Sequence, residues 1–380
     1  MSITILVTDP QLRVIGDPIF CWTTLDVSLR WNEVSSGQLT VPAYPWVREQ
    51  FRPGNRVVVM RDGQVLIAGP YESPNWERSD DGANSGVGVL TVEFADDLSL
   101  VVSRLEVPNP AVGAEQQDRD YWEYSGNAEM VMRDLVNVNA GPGAVPARRV
   151  PRLELGPVAG VGSAVSGKRR LAHLGEGLRQ IGESGGGLGF RTRQDGDRIL
   201  FEVYQPRDLS RQVRFSFGLG NVRYLSYSEQ APRATTAWVG GEGEGADRFL
   251  IERTDSGTEA AWGRREVYVP RAGSSPRADL DNDGDQQLRQ DTQTVRLQVS
   301  AYDSPDQKFG AHFGLGDRVS VEVEDGLAVT DVVRMVHLQA WASAGELVSV
   351  QIGTQEALSD PRWVGLMRQL DQRVGRIERR

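Results

Sequence analysis

The sequence predicts a mainly β protein with an α+β insert: two related antiparallel β-modules, a small helix-plus-hairpin domain and a C-terminal helix. Three observations carry this expectation. The first is a phrase that occurs twice about 260 residues apart, as GNRVVVMRDGQVLIAG from Gly54 and as GDRVSVEVEDGLAVTD from Gly316. In each copy a Gly followed by Asn or Asp turns the chain, Arg and alternating Val open a strand, and Asp-Gly reverses it into a second apolar run. The second is the period of the apolar residues, which is two through most of the chain and changes to three and four in its middle. The third is a helical stripe at the end. A duplicated β-module is building material more often than a catalyst.

From Ser2 to about Arg104 apolar residues alternate through Thr4–Val7, Leu25–Leu29, Val57–Val59 and Val89–Val92, with Gly, Pro, Asn and Asp between the runs. Residues 1–104 are therefore expected to form the first β-domain, with Trp22, Trp31 and Trp46 as core or rim aromatics and residues 79–88 as a hairpin tip. Residues 105–205 read as the helix-hairpin domain. One helix is expected after Ser125 as N-cap, with Met130, Val131, Leu135 and Val138 on its stripe and Gly141 as its stop. A second is expected from Leu171, with Leu174, Leu178 and Ile181. A hairpin from Gly189 to Val203, turning at Asp195-Gly196, follows it. Residues 206–357 read as the second β-domain, interrupted by a short helix near Leu280–Gln290. Ser359-Asp360-Pro361 then starts a helix over 358–380, whose Trp363, Met367, Leu370, Val374 and Ile377 recur every three or four residues.

Composition narrows the function. Forty-two basic against 52 acidic side chains give a formal net charge of -10, which opposes a nucleic-acid-coating surface and an anionic membrane partner. No run of 18 or more apolar residues is present, and the N-terminus lacks the pattern of a signal peptide, so no membrane insertion or secretory routing is expected. Cys21 is the single cysteine, expected in the core, and offers neither an intrachain disulfide nor a CxxC pair.

Chemistry-bearing patterns fail on their details. GSAVSGKR from Gly162 approaches a phosphate loop, but Arg169 stands where a Ser or Thr must ligate Mg²⁺. DLDNDGDQQLRQ from Asp279 places Asp279, Asp281, Asp283 and Asp285 as in a calcium loop, yet Gln290 replaces the bidentate Glu, and an acidic helix start is the plainer reading. His173 on the second helix, His312, and His337 in a strand are the only histidines, and no triad surrounds them. No catalytic residue, metal ligand or cofactor is assigned.

The phrases FRPGNRVVVMRDGQVLIAGPY, LAHLGEGLRQIGESGGGLGFRTRQDGDRILFEVYQPRDLS, VRFSFGLGNVRYLSYS and FGLGDRVSVEVEDG occur in an order that resembles the baseplate or tail-tip hub proteins of tailed bacteriophages. The likeness is greatest to minor tail proteins of siphophages of Actinobacteria, and it spans about Ile3 to Thr354. It implies two tube-like β-barrel domains per chain in a homotrimer, a pseudo-sixfold ring at the tail tip of the virion, made in the host cytoplasm. The implied partners are the distal tail protein or tail tube on one face and central tip, fibre or receptor-binding proteins on the other. The tape measure protein would lie in the lumen, and DNA would contact the ring only in passage. Trp363, Met367, Leu370, Val374 and Ile377 would face the threefold axis. The alternative is a carbohydrate- or receptor-binding tail module that stacks glycans on Trp76, Tyr121, Trp122 and Tyr124.

Overall fold

The computed structural model describes residues 2–78, 86–271, 277–291, 294–302, 304, 306–324 and 326–353. By contact the chain divides into two units, Met1–Arg223 with Val299–Ile352, and a smaller one built on Tyr224–Gln298. The protein is mainly β, as expected, with one large and nearly all antiparallel sheet and few helices.

The first module runs β1 (Ile3–Thr8), β2 (Val14–Ile19), β3 (Thr24–Arg30), β4 (Ser36–Pro42), α1 (Pro45–Arg48), β5 (Arg56–Arg61), β6 (Gln64–Glu77), β7 (Val89–Ala95) and α2 (Leu98–Val102). Alternation puts Leu25, Val27 and Leu29 on one face of β3, all buried, as the period of two requires. The turn between β5 and β6 has φ of 51° at Asp62 and 79° at Gly63, the left-handed pair that a tight hairpin needs.

The helix-hairpin segment adds β8 (Trp122–Asn127), α3 (Ala128–Asn139), β9 (Leu153–Leu155), β10 (Ala164–Arg169), α4 (Leu174–Ser184), β11 (Gly189–Asp195) and β12 (Arg198–Tyr204). Val131, Met132, Leu135 and Val136 of α3 pack with Leu174, Leu178 and Ile181 of α4 over Phe190, Phe201 and Val203. Several details depart from expectation. Asn127, not Ser125, caps α3 by accepting from the Met130 amide at 3.3 Å, because β8 runs on to Asn127 and the helix begins only at Ala128. Met130 lies off the apolar stripe and is exposed. Leu171 precedes α4, with φ of 52° and an exposed side chain. The hairpin turns at Gly196-Asp197, since Asp195 already pairs with Arg198.

The chain then passes through β13 (Arg214–Phe215) and β14 (Val222–Gln230) into the smaller unit. There β15 (Thr236–Gly240) pairs antiparallel with β16 (Leu250–Thr254) and parallel with β17 (Glu266–Pro270), with α5 (Ser256–Trp262) between the last two. Leu280 and Leu288 of α6 (Arg277–Gln290) are buried with Ala237, Val239 and Ile251 on one face of this sheet. Where the sequence suggested a short helical interruption, the chain forms a compact α/β unit. It returns through β18 (Thr294–Tyr302), β19 (Arg318–Glu324), β20 (Leu327–Trp341) and β21 (Gly345–Gly353).

The hydrogen-bonded order of the large sheet is β14-β18-β21-β20-β3-β4-β7-β6-β5-β1-β2, with β19 on β20 and β13 on β19. The two repeats are visible in that order. The first copy is arranged β3-β4-β7-β6-β5 and the second β14-β18-β21-β20-β19, so each of these five strands has a counterpart, while β1 and β2 belong to the first copy alone. Arg56 pairs with Pro70, and Arg318 with Val332. The register slips between Tyr71 and Ser73 in β6, and between Val333 and Met335 in β20. Each of these positions in the second copy lies 262 residues beyond its counterpart in the first, bulge included. Gly54 and Gly316 open the copies with φ of 90° and 85°, a backbone that favours glycine.

Candidate functional site

The feature that most distinguishes the larger unit is the joint between the copies. β3 of the first pairs antiparallel with the far half of β20, from Met335 opposite Arg30 to Trp341 opposite Thr24. Val27 faces Leu338, Leu25 faces Ala340 and Leu29 faces Val336, and all six are buried. On the other face Asp26 binds His337 Nε2 at 2.6 Å through Oδ1 and accepts from Gln339 Nε2 at 3.1 Å through Oδ2. Apolar burial supplies the strength of this joint, and the polar bridge fixes its register.

The helix-hairpin segment is fastened to the same frame. The Asn32 side chain donates to the Leu188 carbonyl at 3.0 Å and accepts from the Phe190 amide at 2.8 Å, so one amide clamps both sides of a strand start. Arg56, 3% exposed, forms a two-pronged pair with Asp97 and donates to Thr8 Oγ1 at 3.0 Å and Gln194 Oε1 at 3.2 Å. Burial raises the Asp97 pKa and the Arg56 charge opposes that rise. Arg207 pairs with Asp317, and the Tyr204 hydroxyl donates to the Leu315 carbonyl at 3.2 Å.

These elements border a cleft of about 800 Å³ lined by Arg30, Asp96, Gln194, Tyr204, Lys308 and Phe313 among others. Burial pushes Asp96 up to about 7, against the hydrogen bond that its carboxylate accepts from the Ser35 amide at 3.0 Å. The arginines of the cleft are largely committed: Arg61 to Glu346, and Arg191 and Arg193 to Glu202. The cleft is thus a polar seam of the frame, in which the arginines are held by partners within the chain.

The residues singled out in the sequence are dispersed. Ala164–Arg169 of the phosphate-loop-like phrase form β10, paired antiparallel with β8, and a ladder strand cannot wrap a phosphate. Asp279–Asp285 lie within α6. Arg253 binds Asp285 at 2.8 Å and Asp281 at 3.7 Å, and Arg271 binds Asp283 at 3.1 Å, so these carboxylates are neutralised by arginine. No group of three or more His, Cys, Asp or Glu suited to a metal occurs among the described residues. His173 is exposed and just precedes α4, and His312 Nδ1 accepts from the Lys308 amide at 2.9 Å. Cys21 is only half-buried, because it lies between β2 and β3 and not in a ladder.

Of the proposed stacking aromatics, Trp122 is buried, packed on Tyr124 at a centroid distance of 5.5 Å. Trp76 and Tyr121 are exposed, each beneath a cation: Arg48 at 4.4 Å and Lys168 at 4.6 Å. Trp46 is also exposed. Trp363, Met367, Leu370, Val374 and Ile377, and the hairpin tip at 79–85, lie outside the described residues.

The fold of this chain is shared by solved phage tail proteins. The tail protein of Neisseria meningitidis MC58 superposes with a TM-score of 0.55 at 13% identity, covering 93% of this chain and 97% of the other. The 43 kDa tail protein of prophage MuSo2 from Shewanella oneidensis gives 0.55 at 13%, covering 94% and 100%. By fold the chain belongs with these phage tail proteins. The chain belongs to the Siphovirus ReqiPepy6 Gp37-like protein family, which it matches over residues 4–354. No curated protein sequence matches it significantly. No helix among the described residues is long and apolar enough to cross a membrane.

Proposed function

We propose that the protein is the trimeric hub of the tail tip, which joins a sixfold tail tube to threefold central tip or fibre proteins and encloses the DNA channel without catalysing a reaction. The observation that supports this is the duplication, in which the same strand order and the same bulge occur in both copies. Three chains with two equivalent modules each present six similar surfaces on one face while keeping threefold symmetry on the other. In this reading 1–104 and 206–357 supply the two tube-like barrels, 105–205 buttresses them, and 358–380 carries Trp363, Met367, Leu370, Val374 and Ile377 toward the axis. The distal tail protein or tube, the tip or fibre proteins and the tape measure are the neighbours. The net charge of -10 suits a wall past which DNA slides without sticking.

The glycan-binding alternative loses support where Trp122 enters the core, since a stacking platform needs an open ring. Native mass spectrometry and cryo-electron microscopy of isolated tail tips test the hub: three copies around a ring are expected, and one copy per tail overturns it.

A further inference from the structure

In the smaller unit α6 packs on one face of the sheet β16-β15-β17, and the other face carries two open aromatic rings. Strand alternation turns Ala237, Val239, Ile251 and Val269 toward the helix and the residues between them outward. Paired residues share a face, so the outward side chains fall into rows. The middle row is Glu252, Trp238, Tyr268. It is flanked by Thr254, Thr236, Glu266 on one side and by Leu250, Gly240, Pro270 on the other. Trp238 is 38% exposed and Tyr268 49%.

The two rings lean apart along the strands. Trp238 Nε1 donates to Glu266 Oε1 at 3.3 Å, which holds the indole toward the Thr236 row. Tyr268 lies the other way, over Gly240: a Cβ on that glycine would stand 2.2 Å from the tyrosine hydroxyl oxygen. Arg248 borders the Tyr268 ring, 5.8 Å from its centre, and is itself fixed by donating to the Arg271 carbonyl at 2.9 Å. The outer rows are separated by about 13 Å of strand, a length that suits an extended chain more than a single small molecule. Arg264 bridges the strands on either side of β15, donating to Glu252 at 2.7 Å and to Glu266 at 2.8 Å.

The combination fits a carbohydrate. Sugar rings offer C–H faces that pack on aromatic rings, and hydroxyls that both donate and accept. Each carboxylate has about four acceptor sites, of which Arg264 and Trp238 fill only part. The Arg264 hydrogen bond holds Glu266 below the usual carboxylate range, so it remains an acceptor. Arg248 and Arg264 balance Glu252 and Glu266, which leaves no excess positive charge to draw in an anionic polymer. We propose that this face binds an uncharged polysaccharide of the host envelope, stacked on Trp238 and Tyr268 with its hydroxyls on Glu252, Arg264 and Glu266. The unit inserted into the second copy gives a structural tail protein its own grip on the cell surface.

The test uses the isolated full chain and does not depend on the hub reading. Affinity electrophoresis through gels containing dextran, mannan, galactan or arabinan is expected to retard the protein in at least one of them. For that polymer Trp238→Ala and Tyr268→Ala should each raise Kd roughly tenfold or more, with the melting temperature unmoved, while Trp76→Ala, which removes an exposed indole elsewhere, leaves Kd as it is. Gly240→Ala keeps both rings and lifts Tyr268 off the sheet, and it should weaken binding as well. Retardation by none of these polymers, retardation by dextran sulfate alone, or a Kd unchanged in Trp238→Ala, Tyr268→Ala and Gly240→Ala overturns the proposal.

Discussion

The two copies of the hairpin begin alike and are used differently. Arg56 in the first is sealed in the interior, where it binds Asp97, Thr8 and Gln194 and ties the β-module to the helix-hairpin segment. Its counterpart Arg318 is exposed. The preceding residue differs in the same sense: Asn55 donates to the Gln50 carbonyl at 2.6 Å, while Asp317 receives Arg207 and the Gly314 amide at 2.7 Å. One inherited backbone therefore carries its buried charge on the arginine in the first copy and on the carboxylate in the second. What duplication preserves is the ladder and the bulge; the polar fastenings were set separately by whatever packs on each copy.

The contrast can be broken most sharply at the arginines. Arg56→Met strands Asp97 in the core and is expected to cost about 3–5 kcal/mol, against roughly 0.5 kcal/mol or less for Arg318→Met. Equal losses in urea denaturation would show that the copies do not differ here. The far halves of β6 and β20 come next. Leu338→Ala opens a cavity in the joint and is expected to cost about 2–5 kcal/mol, while Trp76→Ala leaves the stability of the isolated chain within about 1 kcal/mol.

The opening glycines should differ by a smaller margin. An alanine at Gly316 places its Cβ 2.4 Å from Trp31 Nε1, whereas at Gly54 the nearest atom is Pro10 Cγ at 3.4 Å. Both suffer from positive φ, so Gly316→Ala should lower the melting temperature further than Gly54→Ala. The acidic pair after β7 gives the first copy a pH response. Asp96 holds its proton up to about 7 in the fold against 3.8 in a free chain, so the folded state binds more protons between those values and stability falls as pH rises through that window. Asp96→Asn should flatten the profile from pH 4 to pH 7 and raise the melting temperature at pH 8; an unchanged slope would mean that another group titrates there. The smallest effect expected is none at all: millimolar calcium should leave the melting temperature unmoved, because arginine already occupies Asp281, Asp283 and Asp285 of α6.

The repeat was legible in the sequence because hairpin chemistry is local: Asp-Gly between alternating valines specifies the turn and the register together. Leu174, Leu178 and Ile181 were legible for the same reason. The N-cap was not, since Ser125 and Asn127 are both competent caps and only the point at which β8 gives way to α3, between Asn127 and Ala128, decides between them. Trp122 could not be distinguished from Tyr121 by pattern, as the sequence does not say that β8 starts between them or which of its faces is covered. The Tyr224–Gln298 unit was hidden by its short strands and by a polar helix whose aspartates pair with arginines distant in sequence. The joint of β3 with β20 left no local trace. It follows from strand order.

That joint also sets a timetable. A ribosome adding about 5–20 residues per second delivers β20 roughly 15–60 s after β3, since Arg30 and Met335 are partners at opposite ends of the chain. For that interval Leu25, Val27 and Leu29 have no cover on one side, and the nascent first module carries a sticky flank. The cell must shield it or tolerate it, and the yield of soluble protein should respond to translation speed and chaperone supply well before it responds to the stability of the finished fold.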